Sequence, residues 1–393
     1  MDFLTYIIWD ANPEISFITY LSGDRLHPRW YGFLFALGFF IGQYILAWIF
    51  KVEKKPERDL DTLLLHMIIS TVIGARLGHV LFYEPDTFFN AANWHRIFYV
   101  WEGGLASHGA AIAILIALYI YSNYQILISF SKYSINIKKI ARPGQSFLWV
   151  TDRIVIAVAL GGALIRFGNF VNSEIVGKPS NAPTAVIFAN AIDQNFSNIK
   201  DFLHTSKTVL DTEPTIEKGV TYIPMKIKFY FKGGVNSKID TLQQYTENRL
   251  NGLFAHSEYF EEIENHYSSL DKLIKSKAYT EGNFNVIEAE LYGIPCHPAQ
   301  LYEAIYCLLL CAFLLWLYNR KREKTPEGLL LGLFLIILFT LRFIDEFFKV
   351  NQVDFESKLP FNMGQILSIP AILLGLYILY LSQKNKEKNT QKS

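Results

Sequence analysis

The stretch WYGFLFALGFFIGQYILAWIF, Trp30–Phe50, runs for 21 residues without a charge. A helix that crosses the hydrocarbon core of a bilayer needs about 20 mostly apolar residues. Inside lipid its backbone groups must be satisfied within the segment, and a helix does this. We read the stretch as a membrane span. Three others match it. Met363–Ser382 has no charge, Leu105–Tyr124 carries only His108, and Pro298–Tyr318 carries only Glu303. Three more are impure: Thr62–Phe82 holds Arg76, Phe147–Asn169 holds Asp152, Arg153 and Arg166, and Gly328–Phe348 holds Arg342, Asp345 and Glu346. The expectation is seven spans.

Composition agrees. Of 393 residues, 51% are hydrophobic and 19% charged, against about a quarter charged in an average soluble domain. Mean hydropathy is +0.19, too apolar for intrinsic disorder. The 37 basic and 36 acidic residues leave a net charge of +1, so no global field draws nucleic acid. Three cysteines, Cys296, Cys307 and Cys311, are too few and too clustered for a disulfide framework. We read Cys307 and Cys311 as small packing residues on one helix face.

Charge in the short connections gives an orientation. Lys51–Asp59, Ser122–Ser146, Asn319–Glu327 and the tail after Ser382 each hold four basic residues, whereas Tyr83–Gly104 holds one. Basic connections favour the cytoplasmic side, so the N-terminus is expected outside and the C-terminus inside. The first span lacks a basic lead-in and a cleavage site, and reads as retained. The predicted fold class is an all-α polytopic membrane protein with seven transmembrane helices and a small extracytoplasmic α+β head. An interfacial segment occupies 1–29, spans one to four 30–177, the head 178–296, spans five to seven 297–382 and a cytoplasmic tail 383–393. Within the head, Thr221–Phe231 alternates apolar and polar residues as a half-buried strand does. Lys232–Val235 reads as a turn, and Leu242–Lys277 as one or two helices.

With this orientation, polar residues inside the spans collect at one depth. Arg76 lies six residues from the outer end of span two, about 9 Å deep. His79, His108, Arg166, Arg342, Asp345 and Glu346 fall in the outer parts of their spans. Gln300, Tyr302 and Glu303 open span five, Tyr31 opens span one, and Asn362 and Gln365 flank the start of span seven. Asp152, Arg153 and His66 sit toward the inside. An ionisable group in the bilayer costs several kcal/mol and normally faces a bundle interior or a wet cavity. We expect a common outer cavity; the bland alternative is snorkelling to the headgroups.

Arginine forms a bidentate fork with phosphate. Several arginines below the outer headgroups therefore suit an anionic phospholipid. His108 is the histidine best placed to move a proton, or it makes a structural hydrogen bond. Arg342 and Glu346, at i and i+4, share a helix face. No GxSxG elbow, HExxH, CxxC or P-loop is present. No metal or cofactor is expected, and any nucleophile would arrive with a substrate.

Seven segments in order now carry a resemblance: Arg29-Trp-Tyr-Gly32; Gly74-Ala-Arg-Leu-Gly-His-Val-Leu-Phe-Tyr83; Trp101-Glu-Gly-Gly-Leu-Ala-Ser-His-Gly109; Arg166-Phe-Gly-Asn-Phe-Val-Asn-Ser-Glu174; His297-Pro-Ala-Gln-Leu-Tyr-Glu303; Arg342-Phe-Ile-Asp-Glu-Phe-Phe348; and Met363-Gly-Gln-Ile-Leu-Ser-Ile-Pro370. The chain resembles the prolipoprotein diacylglyceryl transferases of bacteria. The resemblance covers all seven spans but not 178–294. It implies transfer of the diacylglyceryl group of phosphatidylglycerol to the lipobox cysteine thiol of a prolipoprotein, beside its signal peptide. A thioether forms and glycerol 1-phosphate leaves. It places the protein in the bacterial plasma membrane (the inner membrane where there are two), with its site facing the extracytoplasmic side.

The same resemblance assigns residues. His108 matches the family's essential histidine. Arg166, Asn169, Glu174 and Gly177 match the signature segment, Arg342 and Glu346 the sixth-span pair, and Tyr31 the first-span tyrosine. The expected catalytic set is His108, Arg166 and Arg342. The expected substrate-binding set is Tyr31, Arg76, Asn169, Asn172, Glu174, Gly177, Gln300, Tyr302, Glu303, Glu346 and Gln365. His108 acts as the base for the thiol, or it positions lipid while the arginines depress the thiol pKa. Ile165 stands where the family usually has glycine, and Leu338 where it has tyrosine. The 178–296 insert is larger than is usual in the family. An anionic-solute transporter and a non-catalytic lipid-binding scaffold are the alternative readings. A transporter should line a full path with polar groups, and these crowd the outer half.

Overall fold

A computed structural model of the chain describes residues 7–21, 23, 25, 27–82, 94–98, 106–129, 134–139, 141–196, 199, 201–217, 219–233, 239–255, 274, 276–350 and 360–390. Strand β1 (Ile7–Trp9) and the short helix α1 (Ser16–Leu21) precede α2 (Trp30–Val52) and α3 (Glu57–Phe82). Then come α4 (Ser107–Asn123), the strands β2 (Tyr124–Ser129) and β3 (Ser134–Lys139), and α5 (Phe147–Asn172). A mixed segment follows, with β4 (Val186–Phe188), α6 (Asn190–Phe196), β5 (Phe202–Val209), β6 (Thr215–Glu217), β7 (Val220–Lys232), α7 (Ile239–Ala255), β8 (Ser276–Glu281) and β9 (Phe284–Gly293). Helices α8 (Ala299–Lys321), α9 (Leu329–Asp345) and α10 (Met363–Thr390) close the chain.

Five of the helices, α2, α3, α5, α8 and α10, are long and apolar enough to cross a membrane. Large apolar side chains along them are exposed, among them Phe40, Tyr44, Leu65, Leu309, Leu373 and Tyr377. Water would penalise so much bare apolar surface, and lipid would cover it. Helices α4 and α9 are shorter than the expected spans, at 17 residues each, or about 25 Å at the α-helical rise. Helix α4 stops where Tyr124 turns to extended backbone and opens the β2–β3 hairpin. Helix α9 stops at Asp345, and one 3-10 turn covers Glu346–Phe348.

Chain contacts divide the molecule into two compact units. One comprises Leu34–Leu164, Ala304–Phe343 and Met363–Ser393. Its core gathers Ile49, Phe50, Leu63, Tyr121, Ile156, Leu314 and Tyr318, all nearly devoid of exposure. Glycines let α3 and α4 touch backbone to backbone. A Cβ on Gly78 would stand 2.7 Å from the Cα of Gly109, and one on Gly109 would stand 2.3 Å from the Gly74 carbonyl oxygen. Asp152 and Arg153, the polar exceptions of span four, are fully buried in this unit. Arg153 donates from Nε to Glu53 at 2.9 Å, from Nη1 to Asp152 at 2.6 Å and from Nη2 to the Thr325 carbonyl at 3.1 Å. Trp149 and Tyr318 also donate to Glu53, at 2.7 and 3.1 Å. One guanidinium thus ties α2, α5 and α8 to the chain before α9.

The other unit comprises Met1–Phe33, Ile165–Glu303 and Ile344–Asn362. It holds an antiparallel sheet of order β5-β7-β9-β8, with β6 on the same edge of β7. The expected strand is β7. Its Ile223, Met225, Ile227, Phe229 and Phe231 are buried, and the last three join Phe196, Leu250 and Ile287 in one core. The reading of Leu242–Lys277 as helical needs correction at its end. Ser276 and Lys277 belong to a strand, because Ser276–Glu281 pairs with β9 and places Lys277 opposite Glu288. Residues 256–273, and Gly234 and Val235 of the expected turn, lie outside the described residues. Strand β1 pairs in parallel with β4, and Trp9 donates to the Phe170 carbonyl at 2.9 Å. The N-terminal segment is therefore partly a sheet strand, beyond the interfacial role expected for it. Helix α1 exposes Phe17, Tyr20 and Leu21.

Removing the Arg153 cation should strand two buried carboxylates. Arg153→Met is expected to cost about 3–5 kcal/mol, the usual result of breaking a buried ion pair from one side. Thermal unfolding in detergent micelles reads this as a large drop in Tm.

Candidate functional site

The signature residues converge where α5 ends. Past Asn172 the chain turns through Ser173 and Ile175, both with φ of 57°. Left-handed backbone is uncommon in any non-glycine residue and an outlier in a β-branched one. Such strain persists only where the surroundings hold it, and it clusters at functional sites.

The side chains that hold this turn are amides. Asn169 and Asn172 each donate from Nδ2 to the Glu174 carboxylate at 3.1 Å, one to each oxygen. Gln300, fully buried at the start of α8, donates from Nε2 to the Glu174 carbonyl. A carboxylate and a carbonyl only accept, so these partners fix which end of each amide faces Glu174. All three amide oxygens consequently face away from it. The Oδ1 atoms of Asn169 and Asn172 and the Oε1 of Gln300 are buried and meet no donor among the described residues. Buried acceptors of this kind are rare and usually have a reason.

Gly177 is where three segments cross. Its amide donates to the His297 carbonyl at 3.0 Å, and Lys178 donates to the Phe348 carbonyl at 2.7 Å. A Cβ on Gly177 would lie 2.4 Å from the His297 oxygen and 2.8 Å from the Phe348 oxygen. Only glycine fits that approach. His297 sits half-buried beside Tyr302, with Nδ1 3.2 Å from the phenol oxygen. Burial pushes its imidazole below the usual pKa. The Tyr302 hydroxyl also meets Thr184 Oγ1 at 2.8 Å. Tyr31 packs on Gly168, where an added Cβ would come within 3.1 Å of it.

Five charged residues of this unit, Arg166, Glu303, Asp345, Glu346 and Lys349, form one cluster. Arg166 Nε meets Glu303 Oε2 at 2.9 Å. The same carboxylate oxygen lies 3.0 Å from Lys349 Nζ. Lys349 also meets Asp345 at 3.0 Å and Glu346 at 3.2 Å. Glu346 accepts a further bond from Asn362 Nδ2 at 3.1 Å. On sequence alone Glu346 shares a helix face with Arg342. In the structure Glu346 stands in the 3-10 turn that follows α9, where it also meets Lys349. Lys349 is the site residue that sequence reasoning missed. Its signal is Asp345-Glu346-x-x-Lys349, which places an ammonium at i+4 and i+3 of two carboxylates.

The remaining expected residues belong to the other unit. Arg76 is buried, and its Nε donates to the Ile97 carbonyl at 3.1 Å. It does not snorkel. His108 is exposed in the first turn of α4, edge-on to Phe82 with ring centroids 5.1 Å apart. The glycine contact between α3 and α4 sets its position, with Ala106 donating to the Ala75 carbonyl at 2.9 Å. Arg342 is half-buried in the last turn of α9. Gln365 is buried and donates to the Phe343 carbonyl at 3.4 Å. Trp101–Leu105 of the histidine motif lies outside the described residues. Among the described residues no group of three or more His, Cys, Asp or Glu is placed to hold a metal ion.

Comparison with known proteins points one way. The family model described as prolipoprotein diacylglyceryl transferase matches residues 20–381. A phosphatidylglycerol–prolipoprotein diacylglyceryl transferase of Chloroherpeton thalassium is 33% identical over 98% of this chain and 98% of its own length. Proteins of the same name from Porphyromonas gingivalis and Tolumonas auensis are 30% and 29% identical, each over 97% of this chain.

The Gly177 crossing is open to test. Gly177→Ala forces backbone apart at His297 and Phe348, and overpacking of this kind costs about 1–3 kcal/mol. The expected result is a lower Tm than that of Gly252→Ala, whose added Cβ meets nothing within 4 Å.

Proposed function

From the premise that the chain belongs to the prolipoprotein diacylglyceryl transferase family, we propose that it transfers the diacylglyceryl group of phosphatidylglycerol to the lipobox cysteine of prolipoproteins. This is the first step of lipoprotein maturation. The observation that carries the reading is the convergence of the family's signature residues, Arg166, Asn169, Glu174 and Gly177, with Gln300 and Glu303 in one compact unit.

In the proposed reaction the cysteine sulfur attacks the glyceryl carbon that carries the phosphate. A C–S bond forms and the C–O bond breaks. The leaving oxygen keeps the electron pair and departs as glycerol 1-phosphate. The thiol, with a free pKa near 8.5, gives its proton to His108. Arg166 and Arg342 stabilise the charge that grows on the phosphate. Fixed positive groups aimed at developing charge commonly supply most of an enzyme's rate enhancement. The Glu303 carboxylate on Nε supports this role for Arg166, because it fixes the plane of the guanidinium. The amide oxygens of Asn169, Asn172 and Gln300 suit a ligand rich in hydroxyl donors, such as the glycerol headgroup. Tyr31, Arg76, Tyr302, Glu346 and Gln365 complete the proposed binding set.

The proposed setting is the bacterial plasma membrane, with seven crossings, the N-terminus and the head outside and the site on the extracytoplasmic side. Crossing parity supports the count. Strand β1 pairs with β4, so an even number of crossings separates Trp9 from Val186. With α2, α3 and α5 as three crossings, this pairing supports the reading of α4 as a fourth. The Gly177–Lys349 bridge likewise supports the reading that α9 crosses as α8 does. The basic short connections support the orientation.

The test is transfer in vitro from phosphatidylglycerol labelled in its diacylglyceryl part to a lipobox peptide. Wild type should label the peptide, and a peptide with serine for its cysteine should stay unlabelled. Arg166→Ala should lower kcat by about 10²–10³, the usual loss on removing one charge-stabilising donor. Full activity in His108→Ala would eliminate its role as base. A folded wild type that binds the lipid yet leaves the peptide unlabelled would overturn the reading.

A further inference from the structure

Lys349 is 2% exposed and lies among three carboxylates. An ammonium has three N–H donors and no acceptor. Here it donates to Glu303 Oε2 at 3.0 Å and to Glu346 Oε1 at 3.2 Å, and it forms an ion pair with Asp345 Oδ2 at 3.0 Å. All three carboxylates are themselves buried, at 4%, 4% and 8% exposure. Of the three, Glu303 also binds Arg166, through the oxygen that Lys349 holds. Among the described residues, ion pairs join the cations Arg166 and Lys349 to the anions Glu303, Asp345 and Glu346.

We infer that Lys349 is a positioning residue for Arg166: it takes up the negative charge of the carboxylate cluster so that the guanidinium keeps its orientation and its net attraction for an anionic substrate group. This rests on the reading of Arg166 as a phosphate ligand. Without Lys349, these three buried carboxylates would lose the ammonium that all of them meet, and the pull of Glu303 on Arg166 would go unopposed. Like charges at this spacing repel strongly in a low dielectric. They would draw the guanidinium inward or take up protons, and either change weakens phosphate binding. The backbone explains how the lysine is held in place. Lys349 bridges to Gly177 across the junction of the signature turn, so its position and that of the Asn169–Glu174 turn are set by the same contact.

The experiment is steady-state transfer with phosphatidylglycerol varied, on wild type, Lys349→Met, Lys349→Arg and the double variant Lys349→Met/Asp345→Asn. Lys349→Met should raise the KM for phosphatidylglycerol about tenfold or more, with a smaller change in kcat. Lys349→Arg keeps the charge and should recover part of the loss. The double variant removes one carboxylate with the lysine and should return KM to within about threefold of wild type. A merely structural lysine would lower the active fraction, and hence kcat, while leaving KM alone. Wild-type KM in Lys349→Met, or a double variant no better than the single one, would overturn the inference. Should Lys349→Met not fold, the double variant decides alone: KM near wild type supports the positioning role, and KM raised tenfold overturns it. A wild type without transfer activity would instead overturn the functional reading on which the inference rests.

Discussion

A charge buried in an apolar interior is costly without a counter-charge, and two clusters among the described residues meet that demand. In one unit the Arg153 guanidinium binds Glu53 and Asp152. In the other the Lys349 ammonium binds Glu303, Asp345 and Glu346. Each cluster gathers residues far apart in sequence, because a helix alone offers only neighbours at i+3 and i+4. The long-range partners are what tie separate helices together. The two clusters differ in composition. That of Arg153 is shielded by Trp149 and Tyr318, whereas that of Lys349 includes an arginine of the family signature.

Much of this was legible in the sequence, and the limits have physical causes. Long uncharged runs such as Trp30–Phe50 need no tertiary information to be recognised. The alternation of β7 was visible because one face is buried by phenylalanines and isoleucines. Strand β8 was not visible: Ser276–Glu281 is an edge strand with mostly polar residues, and its strand character comes from pairing with β9. The polar residues at the ends of spans were found, but their partners were not. Glu53 lies 100 residues from Arg153, and no local pattern connects them. The same holds for Lys349 and Glu303, separated by 46 residues.

The signature segment shows how a short motif acquires meaning from geometry. Its asparagines do not stand as isolated polar groups. Asn169 and Asn172 grip the two oxygens of one carboxylate, and Gln300 grips the carbonyl of the same residue. Glu174 is thereby the anchor of the turn. The final glycine is needed because three backbones meet there. The strained φ values at Ser173 and Ile175 are the local cost of this arrangement, and the bonds around Glu174 offset it.

The parallel pair of β1 and β4 has a consequence for biosynthesis. Ile7–Trp9 emerges early from the ribosome, yet its partner strand Val186–Phe188 follows about 180 residues later. At 5–20 residues per second the first strand waits roughly 10–35 s while α2 to α5 are made. An unpaired strand edge is a template for wrong pairing in that interval. At three residues it offers few backbone groups to a foreign strand. Brevity here protects the nascent chain until its own partner arrives.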